Sequence, residues 1–252
     1  MRKIERGKSM LITSVHNDHI KELVRLKEKK YRDEAGMFLV ETKHLVLEAY
    51  KAGLIKELIL EANEIFPLDV PVTYVTNEIL KKLSSMESPS KVMAVVYKRK
   101  EEETVGEKVL LLDRIQDPGN LGTIIRSAVA FHIDTIVCSP DTVDFYNPKV
   151  VRASQGMMFH VPIMVRKPEK LIQELKDQDY KIVGTKVTNG HDVREASIYS
   201  HFVLVIGNEG QGISQNIDEL CDEYLYIRMS EKCESLNASV ATSILLYEID
   251  NK

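Results

Sequence analysis

Several residue types that define particular protein classes are scarce in this sequence. The 252 residues include three cysteines, no tryptophan and only 6% aromatic residues. The cysteines, Cys138, Cys221 and Cys233, are far apart, and no CxxC or HExxH pair is present. This spacing argues against both a disulfide framework and a zinc site. We therefore predict free thiols, no bound metal and a reducing, cytoplasmic setting.

Long apolar runs and common catalytic motifs are also missing. No apolar run approaches the roughly 18 residues of a membrane-spanning helix, and the basic N-terminus lacks the apolar stretch of a secretory signal. We expect no membrane association. A complete P-loop is absent, which excludes the common nucleotide-phosphate site. The dinucleotide fingerprint GxGxxG and the serine-hydrolase elbow GxSxG are absent from their expected places.

The charges that are present divide the chain into two halves. Residues 1–100 carry 19 Lys and Arg against 14 Asp and Glu, whereas residues 101–252 carry 15 against 24. A basic half joined to an acidic half suggests a polyanionic partner for the first half, with its densest cations at 21–32. The polar stretch KRKEEETVGE at 98–107 is typical of a linker. We predict domains at 1–100 and 108–252, joined by a linker at 101–107.

The first hundred residues predict a small α/β domain. We expect residues 1–13 to form a loose arm. Asn17 begins an amphipathic helix, Thr42 caps a helix that ends at Gly53, and Asn77 caps a shorter helix. Strands are predicted at 38–40, 55–60, 70–75 and 92–97.

From residue 109 onward, apolar strands alternate with helices, which predicts a parallel sheet covered on both faces. The predicted strands are 109–112, 135–138, 161–165, 181–184, 202–206 and 224–227. The predicted helices are 121–131, 148–155, 168–177, 214–220 and 238–249. Ligands of such sheets bind beyond the carboxyl ends of the strands. The informative loops are therefore 113–120, 185–195, 207–213 and 228–237.

The first informative loop belongs to the segment LLLDRIQDPGNLGTIIRSA at 110–128. Asn120 precedes the predicted helix and is in a position to cap it. Gly122 allows another backbone to approach closely. Arg126 is expected near the helix start, where a cation opposes the helix dipole, so an anionic ligand would explain its presence.

Two further loops concentrate glycines and small polar residues. The segment FVLVIGNEGQGIS at 202–214 ends an apolar strand in three glycines and Glu209, more than a tight turn requires. The segment LYIRMSEKCESLNASVATSILLYEID at 225–250 begins a helix at Ser235 or Asn237. The small residues that follow would let this helix pack closely against another element.

Together, these segments resemble a known family. In order, DPGNLGTIIR, IGNEGQGIS and SLNASVATSILLYE resemble the three signature motifs of the SpoU/TrmH family of RNA 2′-O-ribose methyltransferases. The segment KYRDEAGMFLVETKHLVLEAYKAG is similar to that family's L30e-like substrate-binding domain. The resemblance implies S-adenosylmethionine as methyl donor and a catalytic domain with a deep trefoil knot. It further implies a homodimer formed through the knot domain and an RNA substrate, which we expect to be ribosomal rather than transfer RNA.

The resemblance also implies roles for individual residues. The polar active-site residues would be Asn120, Arg126, Glu209 and Asn237. The cofactor would be held by Gly207, Ile227, Leu236, Thr185 and Ser235. Because a guanidinium group stays protonated, arginine is a poor general base. We expect Arg126 to orient an RNA phosphate and stabilise the developing alkoxide, Asn120 to hold the ribose, and Glu209 to orient Arg126 or Asn120.

Two alternatives stay open at the level of sequence. One is a catalytically idle RNA-binding protein that retains the knot. The other is a nucleotide-dependent oxidoreductase on an unknotted Rossmann sheet, which the missing fingerprint disfavours. A binding experiment with S-adenosylmethionine and NAD distinguishes the oxidoreductase from both the methyltransferase and the idle RNA-binding protein.

Overall fold

The computed structural model describes residues 11–252 apart from Thr188 and Ile198. The chain divides into two compact units. The first unit contains the residues up to Lys100 together with Tyr146–Arg152, and the second contains Glu101–Phe145 and Ala153–Lys252. Among the described helices, none combines the length and apolar character that crossing a membrane requires.

The first unit contains a five-stranded mixed sheet. Its strands are β1 (Leu11–Ile12), β2 (Met37–Glu41), β3 (Ile55–Glu61), β4 (Val72–Val75) and β5 (Val92–Tyr97), in the order β1-β4-β3-β5-β2. Its helices are α1 (Asp18–Arg25), α2 (Lys29–Ala35), α3 (Lys43–Lys51) and α4 (Asn77–Leu83). The apolar face of α1 packs with α4 and the sheet in a core that includes Ile20, Leu23 and Ile79, all nearly inaccessible to solvent.

Of the two caps predicted in this unit, Thr42 is confirmed, and Asn17, predicted only as the start of its helix, is a cap as well. The side chain of Asn17 accepts a hydrogen bond from the backbone N–H of Ile20, and that of Thr42 accepts one from Leu45. The prediction for Asn77 is wrong, because this residue is the first of α4 rather than its cap. Its amide donates instead to Glu61 in β3 at 3.0 Å, so a tertiary partner replaces the local one.

The predicted loose arm at 1–13 is wrong where the structure describes it. Leu11 and Ile12 form β1, which pairs in parallel with Tyr74 and Val75 of β4. Residues 1–10 of the predicted arm lie outside the described residues. Helix α2 was not predicted because its sequence, KKYRDEA, has no clear apolar period. It ends at Gly36, whose φ of 63° suits glycine.

The second unit contains the predicted parallel sheet. Its strands are β6 (Lys108–Leu112), β7 (Thr135–Cys138), β8 (Ile163–Val165), β9 (Lys181–Thr185), β10 (His191–Asp192), β11 (Phe202–Ile206) and β12 (Glu223–Tyr226). Their order is β10-β12-β9-β11-β6-β7-β8, and every pairing is parallel. The further helices are α5 (Pro118–Ala130), α6 (Pro148–Ala153, shared between the two units), α7 (Pro168–Lys176), α8 (Gln215–Asp218) and α9 (Ala238–Asp250).

The strand order decides which loops meet. Strand β11 lies between β9 and β6, and β12 lies on the other side of β9. All five residues of β11 are buried, which explains its continuous apolar sequence FVLVI. Because parallel strands end at the same edge of a sheet, the segments after β6, β9, β11 and β12 lie side by side. These are the four loops in which the sequence predicts ligand-binding residues.

The three cysteines are free thiols, of which Cys138 is buried, Cys221 is partly buried and Cys233 is exposed. Burial raises the pKa of Cys138 to about 12, with a smaller contribution from Asp144. Burial likewise raises the pKa of Cys221 to about 11. Neither thiol is activated as a nucleophile, because reactive cysteines have a lowered pKa.

Candidate active site

Helix α5 is capped by Asp117, and this leaves the side chain of Asn120 available. The Asp117 carboxylate accepts a hydrogen bond from the backbone N–H of Asn120 at 2.8 Å, and Pro118 occupies the first helical position. The helix therefore begins three residues before the predicted Leu121. Asn120 is not the cap that the sequence allowed, but a residue of the first turn with a buried side chain.

Three distant segments meet through the side chain of Asn120. Its Nδ2 donates to Oε1 of Glu209 at 3.0 Å, and its Oδ1 accepts a hydrogen bond from Nδ2 of Asn237 at 2.9 Å. These are ordinary hydrogen-bond lengths. The result is a continuous chain from Glu209 through Asn120 to Asn237, which we call the polar relay. Of the two partners that the sequence allowed for Glu209, the structure pairs it with Asn120.

The direction of the polar relay is set at the start of α9. Asn237 caps this helix, and its Oδ1 accepts hydrogen bonds from the N–H and the hydroxyl of Ser239 at 2.9 and 2.7 Å. The amide nitrogen of Asn237 is therefore left to donate to Asn120. Asn120 must then use its oxygen as acceptor and its nitrogen as donor to Glu209, because each amide has one accepting and one donating end.

Glu209 is held in its ionised form by the groups around it. Burial raises the pKa of the Glu209 carboxyl, but hydrogen bonds from Asn120 and from backbone N–H groups outweigh that effect and lower it below its usual value. The backbone donors include Asp117 and Gln116, each at 3.3 Å from a carboxylate oxygen. The carboxylate thus joins the glycine-rich loop after β11 to the beginning of α5.

Arg126 occupies a different environment. It is the ninth residue of α5, exposed to solvent, and its guanidinium makes no hydrogen bond or ion pair with any residue that the structure describes. The expectation that it lies near the helix start is wrong, because α5 begins at Pro118. The dipole argument for an anionic ligand therefore loses its basis, since the helix dipole acts mainly within the first turn. The structure does not join Arg126 to the polar relay.

The glycine-rich loop is a tight turn with two constraints. Asn208 and Gly212 exchange two backbone hydrogen bonds, at 3.0 and 2.9 Å. Gly212 has a φ of 68°, and a Cβ on Gly207 would lie 2.2 Å from the backbone of Gly212 and Ile213. Both positions therefore require glycine, for conformational and steric reasons respectively.

Arg114 braces this loop from the end of β6. Its guanidinium donates to Oε1 of Gln211 at 2.9 Å and to the carbonyl of Gly212 at 3.4 Å. In return, the Arg114 carbonyl accepts a hydrogen bond from Nδ2 of Asn208 at 2.8 Å. No sequence motif singles out Arg114, although its place two residues after an apolar strand is a signal for it.

A cleft of about 490 Å³ lies at this edge of the sheet. It is lined by all five residues predicted to hold the cofactor, which are Thr185, Gly207, Ile227, Ser235 and Leu236. Glu209 also lines it, whereas Asn120, Arg126 and Asn237 do not. The cleft further contains residues that the sequence analysis did not single out, among them Lys186, Asp218, Leu225 and Met229.

The cleft fits a nucleoside-sized cofactor. Its volume lies within the range of about 300–1,000 Å³ that is usual for small-molecule sites. Leu225, Ile227 and Leu236 supply apolar surface of the kind that packs against a purine. Gly207 lines the cleft, so its backbone groups are within reach of a ligand there.

Small residues bring the helices around the site close together. A Cβ on Gly122 of α5 would lie 2.3 Å from Cβ of Ala153, which confirms the predicted close approach. On another side, Ser127 of α5 and Ser243 of α9 share a hydrogen bond of 2.7 Å between their hydroxyls. This close packing of α5 and α9 holds Asn120 and Asn237 within hydrogen-bonding distance.

Comparison with known proteins gives one consistent result for each part of the chain. Residues 107–247 match the model of the SpoU rRNA methylase family, and residues 17–94 match that of the MRM3-like substrate binding domain. The chain is 35% identical over 243 residues to the 23S rRNA (guanosine(2553)-2′-O)-methyltransferase RlmP of Bacillus subtilis. That alignment covers 94% of this chain and 98% of the relative.

Solved structures resemble the chain over nearly its whole length. The SpoU methyltransferase AviRb from Streptomyces viridochromogenes, in complex with AdoMet, has a TM-score of 0.85 and 27% identity, covering 93% of this chain and 97% of its own. An AdoMet-bound rRNA methyltransferase from Sinorhizobium meliloti has a TM-score of 0.86 and 28% identity, and the match covers 97% of this chain and 98% of that protein's chain.

Proposed function

Because the chain belongs to the SpoU rRNA methylase family, we propose that the polar relay and the cleft beside it form the active site for methylation of a ribose 2′-hydroxyl in ribosomal RNA. The chain is an S-adenosylmethionine-dependent RNA 2′-O-methyltransferase. The oxidoreductase alternative is thereby set aside. The observation that carries the proposal is that Glu209, Asn120 and Asn237, from three motifs, form one hydrogen-bonded chain next to the cleft.

We assign the cleft to the methyl donor. When bound, S-adenosylmethionine supplies an electrophilic methyl group on a sulfonium sulfur. Gly207, Ile227 and Leu236 would hold it largely through backbone groups and apolar contacts, and Thr185 and Ser235 line the same cleft. The hydroxyl of Thr185 already donates to the carbonyl of Val205 at 2.9 Å, so its proposed contribution is chiefly its backbone.

The polar relay would position the ribose. Asn120 is held by hydrogen bonds on both sides. Such a rigid amide is suited to orienting an attacking hydroxyl, because even small errors in the position of a reacting group lower the rate. Glu209 keeps the amide of Asn120 in place and adds negative charge close to the cleft. This charge favours a cationic ligand such as a sulfonium.

Arg126 would act on the RNA and not on the relay. Its exposed guanidinium has no partner among the described residues, so its donors are available to a phosphate group. A guanidinium stays protonated, so we assign Arg126 to orienting the RNA and stabilising negative charge on the reacting oxygen. Proton removal by Arg126 itself is disfavoured on the same ground.

The target we propose is 23S ribosomal RNA, at the nucleotide equivalent to the guanosine 2553 named for the Bacillus subtilis relative. The near full-length alignment supports ribosomal over transfer RNA. Residues 1–100 would bind this RNA and residues 108–252 would carry the chemistry, with 101–107 as a linker. The match of residues 17–94 to a substrate binding domain supports this division.

We propose that helix α4 adds to the RNA-binding surface expected from the cation cluster at 21–32. Within the dense cation cluster at 21–32, Lys21, Lys29 and Lys30 pair with acidic residues on their own helices. Arg32 is buried. Lys81 and Lys82 on α4 are exposed and form no ion pair with the described residues.

We also propose a homodimer formed through a knotted C-terminal domain, in the cytoplasm where ribosomal RNA is available. Helix α9 supports the interface, because its large apolar side chains Val240 and Tyr247 are 46% and 53% exposed. Large exposed apolar side chains on one helix are typical of an interaction face. Light scattering at micromolar concentration tests the dimer directly, and a strict monomer contradicts it.

The reaction is tested with ribosomal RNA from cells that lack the gene. The purified protein and S-adenosylmethionine should add one 2′-O-methyl group at the proposed guanosine, detected as resistance to alkaline cleavage. Asn120→Ala should abolish the signal, while Asn251→Ala on the exposed end of α9 should leave it unchanged. Methylation of a base, or of transfer RNA alone, would contradict the proposal, as would no transfer by the wild type. The last outcome would favour the idle RNA-binding alternative.

A further inference from the structure

The cofactor cleft contains one cation that the polar relay does not use. Among the residues that the structure describes, three charged side chains line the cleft, namely Lys186, Glu209 and Asp218. Glu209 is bound to Asn120 and to the loop around it. Lys186 follows β9 and Asp218 ends α8, so the remaining pair comes from two different elements.

The ammonium group of Lys186 is held in place by two neighbours. Its Nζ lies 3.1 Å from the Asp218 carboxylate and 3.6 Å from the centre of the Tyr224 ring. The backbone N–H of Lys186 donates to the carbonyl of Leu225 at 3.0 Å, which fixes the start of the side chain. An ion pair and a cation–π contact together pre-organise this charge.

Tyr224 is itself fixed as a platform. Its hydroxyl donates to the carbonyl of Asp218 at 2.6 Å. Its ring lies so near Gly184 that a Cβ there would be 2.6 Å from the ring carbon Cε1. Glycine at this position thus allows the ring to lie under Lys186, which gives Gly184 a role in the cleft although it does not line it.

A fixed cation is unexpected in a site for S-adenosylmethionine. The ligand carries two positive charges, on its sulfonium and its α-ammonium, and a single negative charge on its carboxylate. Lys186 therefore repels the ligand unless it meets the carboxylate, where the interaction is a charge-assisted hydrogen bond. The side chains of Lys186 and Asp218 are 36% and 33% exposed, so a ligand in the cleft can reach them.

We propose that Lys186 binds the carboxylate of the methyl donor and that Asp218 and Tyr224 position its ammonium group for this contact. Lys186 is then the residue that makes the cleft select the amino-acid end of the ligand. The inference rests on the proposed use of the cleft by S-adenosylmethionine. It adds a specificity-determining residue that the three motifs do not contain.

The test compares two ligands that differ only in the carboxylate. Isothermal titration of the wild type should give tighter binding of S-adenosylmethionine than of decarboxylated S-adenosylmethionine. Lys186→Met should weaken the binding of S-adenosylmethionine by about tenfold or more, which is the effect of losing a hydrogen bond to a charged group. The same variant should leave the affinity for decarboxylated S-adenosylmethionine nearly unchanged. Lys186→Arg keeps the charge and should retain most of the preference.

Lys176 offers a matched control. It is 35% exposed and pairs with Asp222 at 2.7 Å, but it lies outside the cleft. Lys176→Met should therefore leave the affinity for both ligands unchanged. If Lys186→Met loses affinity equally for the two ligands, or loses none for either, the proposed role of Lys186 is overturned while the assignment of the cleft stands. A wild type that binds neither ligand would instead overturn the assignment of the cleft to the methyl donor.

Discussion

Asn120 and Glu209 are 89 residues apart in the chain, yet Nδ2 of Asn120 donates to Oε1 of Glu209 at 3.0 Å. The contact forms because β6 and β11 are neighbours in the sheet, so the segments that follow them leave the same edge side by side. One amide thereby connects the start of α5, the glycine-rich loop and, through Asn237, the start of α9. Four separate experiments can test the hydrogen bonds of Asn120, the contact of Arg126 with RNA, the shape of the glycine-rich loop and the charge of Glu209.

Asn120→Asp tests the polarity of the relay. The new carboxylate cannot donate to Glu209 and places a second negative charge about 3 Å from it, which destabilises both ionised forms. We expect single-turnover methylation to fall by at least about a hundredfold, the size of a lost pre-organised contact. Asn251→Asp on the exposed C-terminal cap of α9 is the control. Near-normal turnover of Asn120→Asp would show that the relay has no part in the reaction.

Substitutions of Arg126 should change methyl transfer without changing cofactor binding. Because its guanidinium is exposed and makes no contact with the described residues, Arg126→Ala should leave the melting temperature and the affinity for S-adenosylmethionine unchanged. Methyl transfer should fall by at least about a hundredfold, and Arg126→Lys should retain part of it because the charge remains. Arg166→Ala, in another part of the same unit, serves as the control. Weakened cofactor binding in Arg126→Ala would contradict the proposed role.

Gly207 and Gly210 form a matched pair within one loop. A Cβ on Gly207 would lie 2.2 Å from backbone atoms, whereas one on Gly210 would meet only Oδ1 of Asn208, at 3.7 Å. Gly207→Ala should lower the free energy of unfolding by about 1–3 kcal/mol or more, as overpacking does, and weaken binding of the methyl donor. Gly210→Ala should do neither, as measured by denaturant unfolding and titration. Similar stability of the two variants would refute the steric argument.

The charge of Glu209 gives a prediction for acid conditions. The pKa of its carboxyl is lowered in the folded protein, so the stabilising contribution of the ionised form is present above the unfolded value of about 4.3 and disappears as pH falls through the lower folded value. The thermal shift caused by S-adenosylmethionine should therefore persist from pH 7 to about pH 5. Loss of the shift between pH 6 and 5 in the wild type, but not in Glu209→Gln, would mean that the pKa is raised instead.

Where the sequence pattern was strong, it determined local structure well. The strands Thr135–Cys138 and Phe202–Ile206 were predicted with the bounds that the structure has, because continuous apolar runs of that length form buried parallel strands. Thr42 caps its helix as predicted, and the helix predicted from Asn17 is present. In each case the information lies within a few residues.

Elements that depend on a distant partner were missed. Strands β1 and β10 have two residues each and are defined only by pairing with β4 and β12. Asn77 donates to Glu61 instead of capping α4, and that partner lies 16 residues away. No local pattern encodes these contacts.

The active site shows the same division. The sequence by itself determined that Asn120, Glu209 and Asn237 are functional candidates and that these residues belong to loops at one edge of a parallel sheet. Only the tertiary structure decided that Gly207 must be glycine, that Glu209 pairs with Asn120, and that Lys186 lies over Tyr224 in the cleft. The physical reason is that strand order, which the residues of one segment do not specify, sets which loop ends come within the 3 Å that a hydrogen bond requires.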